Sequence, residues 1–151
     1  MVKSVLTAIL STFISTRQVQ ATPLNRKDYN DLRGWEVPSD ENPNDDGYLV
    51  VNNGVSERNV DGFDGYVSWL PKVAFEEQYK PNDTPIDRMQ VEADDLDEKL
   101  LKLEAFVAKG KPDFLTDEEW SLLNQQAEYM VLYRDTLESR LEIAKEKQAQ
   151  S

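Results

Sequence analysis

The chain contains no cysteine and no histidine. Without thiols there is no cysteine nucleophile, no thiolate metal site and no disulfide framework, so cysteine usage leaves the compartment open. Without imidazole there is no Ser-His-Asp triad, no zinc site of the usual ligand types and no side chain that titrates of itself near neutral pH. Basic charge is scarce as well: 17 Lys and Arg face 29 Asp and Glu, a net charge of -12. Such a surface repels phosphate backbones and anionic bilayers, which excludes non-specific nucleic acid and membrane surfaces as partners. A small anionic ligand in a locally basic pocket remains compatible with it. There are six glycines. Gly54, Gly62 and Gly65 are scattered turn residues, and no Gly-rich phosphate loop of the Walker or dinucleotide type occurs. No cofactor is implied.

A long apolar run is also missing. Lys3 followed by the stretch Val5 to Ile14 resembles a short signal peptide, with Val19-Gln20-Ala21 as its cleavage site. It is too short to cross a bilayer as a helix. Ser and Thr dilute it, and Arg17-Gln18 intrude before the site. We therefore read residues 1–14 as a variable N-terminal extension leading into a first strand near Arg17–Thr22.

What is present suffices for a core: 39% of the 151 residues are hydrophobic, with 3 Trp, 6 Tyr and 5 Phe. The pattern predicts an α+β chain, a small antiparallel sheet with short helices followed by a long antiparallel two-helix hairpin. In residues 15–80, Asn25 reads as a helix N-cap and Gly34 as the stop of a short helix. Ser39 to Gly47 is a polar turn. Tyr48-Leu49-Val50-Val51 and Gly65-Tyr66-Val67-Ser68-Trp69 read as paired strands. Pro71 then opens a helix over Lys72–Tyr79. Residues 81–85, with two prolines, form a linker.

Residues 86–147 carry the clearest signal. Ile86, Met89, Ala93, Leu96, Leu100, Leu103 and Val107 recur at alternating steps of three and four, the rhythm of a coiled-coil seam. Trp120, Leu123, Ala127, Met130, Leu137, Leu141 and Ala144 repeat it, with Arg134 at the one polar seam position. Gly110 and Pro112 end the first helix. Thr116 and Glu119 form a capping box for the second. A lone hairpin covers only part of such stripes, so the C-terminal helices are expected to support a homo-oligomer. Charge concentrates here too. Residues 1–80 hold 12 acidic and 8 basic side chains, a balance of -4, whereas residues 81–151 hold 17 and 9, a balance of -8.

Catalytic patterns are not found. The carboxylate runs Asp94-Asp95, Asp97-Glu98 and Asp117-Glu118-Glu119 read as a solvated helix face rather than an acid–base pair across a pocket. Asp40-x-Asn42-x-Asn44-x-Asp46-Gly47 alternates oxygen ligands as calcium loops do. Asp45 and Val51, however, occupy the places where that loop needs Gly and Glu. We expect no metal, no catalytic residues and no enzyme.

The candidate ligand-binding residues are Arg26, Arg33, Trp35, Tyr66 and Trp69, because guanidinium groups beside aromatic faces suit a nucleobase and its phosphates. The competing reading puts Trp35, Tyr48 and Trp69 in the small core. Arg134 and Arg140 follow as candidates on the last helix. For Arg134 the competing reading is a paired arginine that fixes register.

Ala21-Thr22-Pro23-Leu24-Asn25-Arg26 through Trp35, with Gly47-Tyr48-Leu49-Val50 and Gly65 through Phe75, resembles a recurrent N-terminal module of tailed-phage proteins. In some of these a similar module precedes a Thoeris anti-defence sponge domain, which is not seen here. Arg88-Met89 through Phe106, then Phe114-Leu115, Leu122-Leu123, Gln126, Met130, Tyr133, Leu137 and Arg140-Leu141, is similar to a small helical-hairpin family first noted in crAss-like phages. The resemblance implies a phage or prophage accessory protein in the host cytoplasm, without a characterised site. Its partner is then a nucleotide signal to be sequestered. The alternatives are a host defence protein with a basic groove, or only further copies of itself in an assembly role.

Overall fold

A computed structural model describes residues 2–151. Helix α1 (Val2–Ala8) lies within the predicted extension, and all its side chains are exposed. Strand β1 (Gln20–Pro23), helix α2 (Arg26–Arg33), strands β2 (Gly47–Asn52) and β3 (Tyr66–Pro71) and helices α3 (Lys72–Gln78), α4 (Pro85–Val107) and α5 (Asp117–Ala149) follow. The chain divides into two compact units between Tyr79 and Lys80. The α+β architecture with a helical hairpin is therefore the one the sequence predicts.

The first unit holds an antiparallel sheet of order β1-β2-β3. Strand β1 begins at Gln20 rather than Arg17 and ends on Pro23. Its place at the sheet edge tolerates the missing proline N–H. Side chains alternate across the sheet. On one face Leu49 and Val67 meet Tyr29 of α2 to form the buried core, with Leu24, Val51, Val60, Phe63 and Trp69 packed around them. On the other face Tyr48 stacks on Phe75 of α3, with ring centroids 4.1 Å apart, and Phe75 stacks on Tyr79 at 4.9 Å. Of the three aromatics expected in the core, only Trp69 takes part in the cluster around Leu49 and Val67. Trp35 is 52% exposed.

The polar turn after Ser39 has a definite task. The four N-terminal N–H groups of a helix lack partners within it. In α2, Arg26 N–H donates to the Asp45 carbonyl (3.0 Å) and Lys27 N–H to the Pro43 carbonyl (2.9 Å). Asp28 N–H donates to the Asn25 side chain (2.8 Å). The loop that resembles a calcium site thus caps a helix. Among the described residues no group of three or more carboxylates is placed to hold a metal. Gly34 closes α2 at φ 70, in the left-handed region that suits glycine. A Cβ on Gly47 would run into the Trp69 ring.

The second unit is the hairpin. Ala93 of α4 packs on Leu137 and Leu141 of α5, flanked by Ile86, Met89 and Leu96. Every predicted seam residue on both helices is buried or half-buried. Both helices start with a capping box. Thr116 and Glu119 form the expected one, and Thr84 with Asp87 forms another, with Pro85 at the first helical turn. Among the described residues no helix is long and apolar enough to cross a membrane.

Candidate functional site

The sheet separates two of the five N-terminal candidates. On β3, Val67 and Trp69 point to the α2 face, so Tyr66, 38% exposed, lies on the opposite face from Trp69. Trp69 is anchored, its indole N–H donating to the Leu24 carbonyl at 2.7 Å. The Arg26 guanidinium lies 4.6 Å from the centre of the Trp69 ring. It is also neutralised: Nη1 bonds Glu41 at 2.6 Å, and Nε stands 3.8 Å from Asp45. Arg26 therefore ties the polar loop to the sheet and offers no free charge to an anion.

Arg33 is placed differently. It sits in the last turn of α2, and the Gly34 cap turns the chain so that Trp35 follows beside it. The Arg33 guanidinium lies 4.2 Å from the Trp35 ring centre and 5.9 Å from that of Tyr29. Its Nη1 donates to the Tyr29 hydroxyl at 2.9 Å. Tyr29 and Trp35 meet edge to face at 6.1 Å. Arg33 has no carboxylate partner among the described residues. An unneutralised guanidinium beside a half-exposed indole has the chemistry to meet a flat, anionic ring ligand.

A hollow of this unit lies elsewhere, lined by Pro23, Leu24, Asn25, Asp28, Asp46, Gly47, Tyr48 and Lys72. None of the candidates lines it. Its one cation, Lys72, faces two carboxylates there. Burial, with the Glu76 carboxylate at 3.2 Å, pushes the Tyr48 phenol pKa up.

In the hairpin, Arg134 is paired. It reaches Asp97 of α4 at 3.3 Å and Asp135 at 3.1 Å, and hydrogen bonding to Asp135 chiefly raises its pKa. Arg140 is exposed on α5, outside every ion pair of the described residues. A shallow groove on α5 is lined by Leu122, Gln125, Gln126, Tyr129, Met130 and Tyr133, none of them an arginine. Sequence periodicity alone did not single out this groove, because of its residues only Met130 belongs to the hairpin seam.

Fold and site together define a small α+β unit with an arginine–tryptophan platform, followed by an antiparallel helical hairpin. The hairpin is also where a known family is met. The model of the Sequestin family matches residues 83–143, which take in all of α4, the turn and most of α5. No curated protein and no solved structure matches the chain.

Proposed function

We propose that the protein is a non-enzymatic phage or prophage accessory protein that binds and sequesters a nucleotide-type signal of host immunity in the host cytoplasm. The observation that carries this reading is the Sequestin match over residues 83–143, since the family's name denotes capture of another molecule. The Arg33–Trp35–Tyr29 platform supplies the chemistry such capture needs: a planar face for the base and a free positive charge for a phosphate. Self-association through the C-terminal helices belongs to the same reading.

The test is native mass spectrometry of the protein purified from a bacterial host, before and after denaturation. A nucleotide released on denaturation is expected. Arg33→Ala and Trp35→Ala should each lose it with only a small fall in melting temperature, because both side chains touch the core through Tyr29 alone. A protein that stays empty after incubation with a pool of cyclic and linear nucleotides overturns the reading.

A second reading, an acidic inhibitor of a basic host protein, is favoured by one feature. Glu128, Asp135, Glu138, Glu142 and Glu146 occupy about a quarter of the circumference of α5, and of these only Asp135 is in an ion pair. A stoichiometric host protein released by salt in the same spectra would select it.

A further inference from the structure

Helix α5 carries a second seam that the hairpin does not use. Leu122, Gln126, Tyr129, Tyr133, Thr136, Arg140, Ile143 and Lys147 recur at alternating steps of four and three. This is the rhythm of the packed seam, displaced around the helix. All eight are exposed, and the five large side chains on this side, Leu122, Tyr129, Leu132, Tyr133 and Ile143, are 46–64% exposed. The flanking outer positions Gln125, Leu132 and Ser139 add no charge. From Ser121 to Ile143 this face bears no carboxylate, within a helix that has eight. The acids of α5 lie at its first turn or on the separate arc of Glu128, Asp135, Glu138, Glu142 and Glu146.

We propose that a second copy of this chain packs antiparallel on this face of α5, giving a two-fold dimer whose axis passes near Tyr133. This specifies the self-association included in the proposed function and does not depend on the ligand.

Three observations choose the occupant. First, a seam sustained in a 3–4 rhythm over about 32 Å, at 1.5 Å per residue, fits a helix of equal length and spacing rather than a small molecule. Helices α4, at 23 residues, and α5, at 33, both reach that length, and the carboxylates on the outer side of α4 leave α5 as the partner helix. Second, residues 81–151 carry a balance of -8, so two copies repel wherever carboxylates face each other. The outer side of α4 presents Glu92, Asp95 and Glu98, and although Lys99 and Lys102 pair with the last two it keeps a net negative charge, so self-pairing there is opposed. The carboxylate-free face lets two copies approach without that opposition. A basic protein would be drawn instead to the acidic arc. Third, the ends of α5 differ in sign. Its first turn holds Asp117, Glu118 and Glu119, whereas its end holds Lys145 and Lys147 around Glu146, a balance of +1. Antiparallel pairing sets acidic start against basic end, whereas parallel pairing superposes like charges. An antiparallel partner also brings the Tyr129–Tyr133 segment of each copy together at the centre, where aromatic contacts contribute most.

The experiment uses the full chain without added ligand. Native mass spectrometry and sedimentation should show a dimer. Tyr133→Glu places one carboxylate per copy beside the axis. It should give a monomer of unchanged helical content, because Tyr133 is outside the hairpin core. The chain has no cysteine, so single replacements report geometry directly. Under mild oxidation Tyr133→Cys should link two copies. Leu122→Cys should not, since eleven residues put it about 16 Å from the axis on opposite sides in the two copies. A monomeric wild-type protein, a Tyr133→Glu variant that stays dimeric, or a Leu122→Cys variant that links as readily as Tyr133→Cys overturns the proposal. Subunit number and retained nucleotide are separate masses, so loss of the dimer and loss of ligand capture are distinguishable.

Discussion

Arg134 shows how one side chain serves two opposed demands. It interrupts an otherwise apolar seam, and its guanidinium escapes sideways to Asp97 and Asp135, whose side chains are 53% and 57% exposed. Long arginine stems cover apolar surface while the head stays wet. Replacing it by leucine would extend the seam between Met130 and Leu137. It would strand no buried charge, because both carboxylates keep their water. Arg134→Leu is therefore expected to raise the melting temperature followed by circular dichroism, as apolar replacements of seam ion pairs commonly do. A lower melting temperature would mean that the pairs to Asp97 and Asp135 stabilise the hairpin more than the seam contact does. Arg33 lies at the other extreme. With no carboxylate to satisfy it, its charge is balanced only by aromatic faces and the Tyr29 hydroxyl. That difference between Arg26 and Arg33 was not legible in the sequence. Glu41 and Asp45 are 15 and 19 residues from Arg26, and only the folded loop brings them to it.

At the scale of elements, the helical hairpin was the most legible part because its signal is periodic. A 3–4 rhythm over many turns leaves few other folds. Thr116 was legible as a cap because Glu119 completes the usual motif. The equivalent box at Thr84 falls in a segment whose sequence reads as linker, since its third residue is Asp87 rather than Glu or Gln and two prolines surround it. The short strands were placed to within a few residues. What holds their loop was hidden: the Asn59 side chain accepts from Val67 N–H at 2.7 Å and donates to the Val67 carbonyl at 2.8 Å. Such a clamp depends on the path of the loop and leaves no spacing to recognise. The two capping boxes have a consequence for acid stability. Hydrogen bonding to Thr116, first to its backbone N–H, holds the Glu119 carboxyl below its usual range, and Thr84 does the same for Asp87. A depressed folded-state pKa adds stability that is fully present above the unfolded values, about 4.3 for Glu and about 3.9 for Asp. That stability is lost as pH falls through the lower folded values. Helical content should therefore be level down to about pH 4.5 and fall below it. Glu119→Gln, which retains an oxygen acceptor but cannot titrate, should flatten part of that fall. Thr116→Ala should cost about 1 kcal/mol at neutral pH. An acid limb unchanged by Glu119→Gln would show that the box at α5 does not contribute to it.

For the whole molecule, the decisive quantity is the net charge of -12 and how unevenly it is spread. The proposed contacts answer to it in opposite ways. Two copies joined through the carboxylate-free face of α5 come together against the mutual repulsion of their remaining surfaces. Salt screens that repulsion, with a Debye length that shortens from about 30 Å at 0.01 M to about 10 Å at 0.1 M. The dimer should therefore tighten as salt rises. A nucleotide held by Arg33, or a basic protein held by the acidic arc of α5, relies on attraction between opposite charges, which the same salt weakens. Sedimentation equilibrium between about 0.02 M and about 0.5 M NaCl separates the cases, because the upper limit shortens the screening length to a few ångströms. The dimer dissociation constant is expected to fall several-fold across that range, while the apparent affinity for a retained nucleotide falls off. The salt dependence also tests the symmetry of the contact. Antiparallel ends that bring Glu118 of one copy near Lys147 of the other make a small opposing contribution, which salt removes. Net tightening requires that the uncharged centre around Tyr129 and Tyr133 dominates. A dissociation constant that rises with salt would place the contact on the charged arc instead of the second seam.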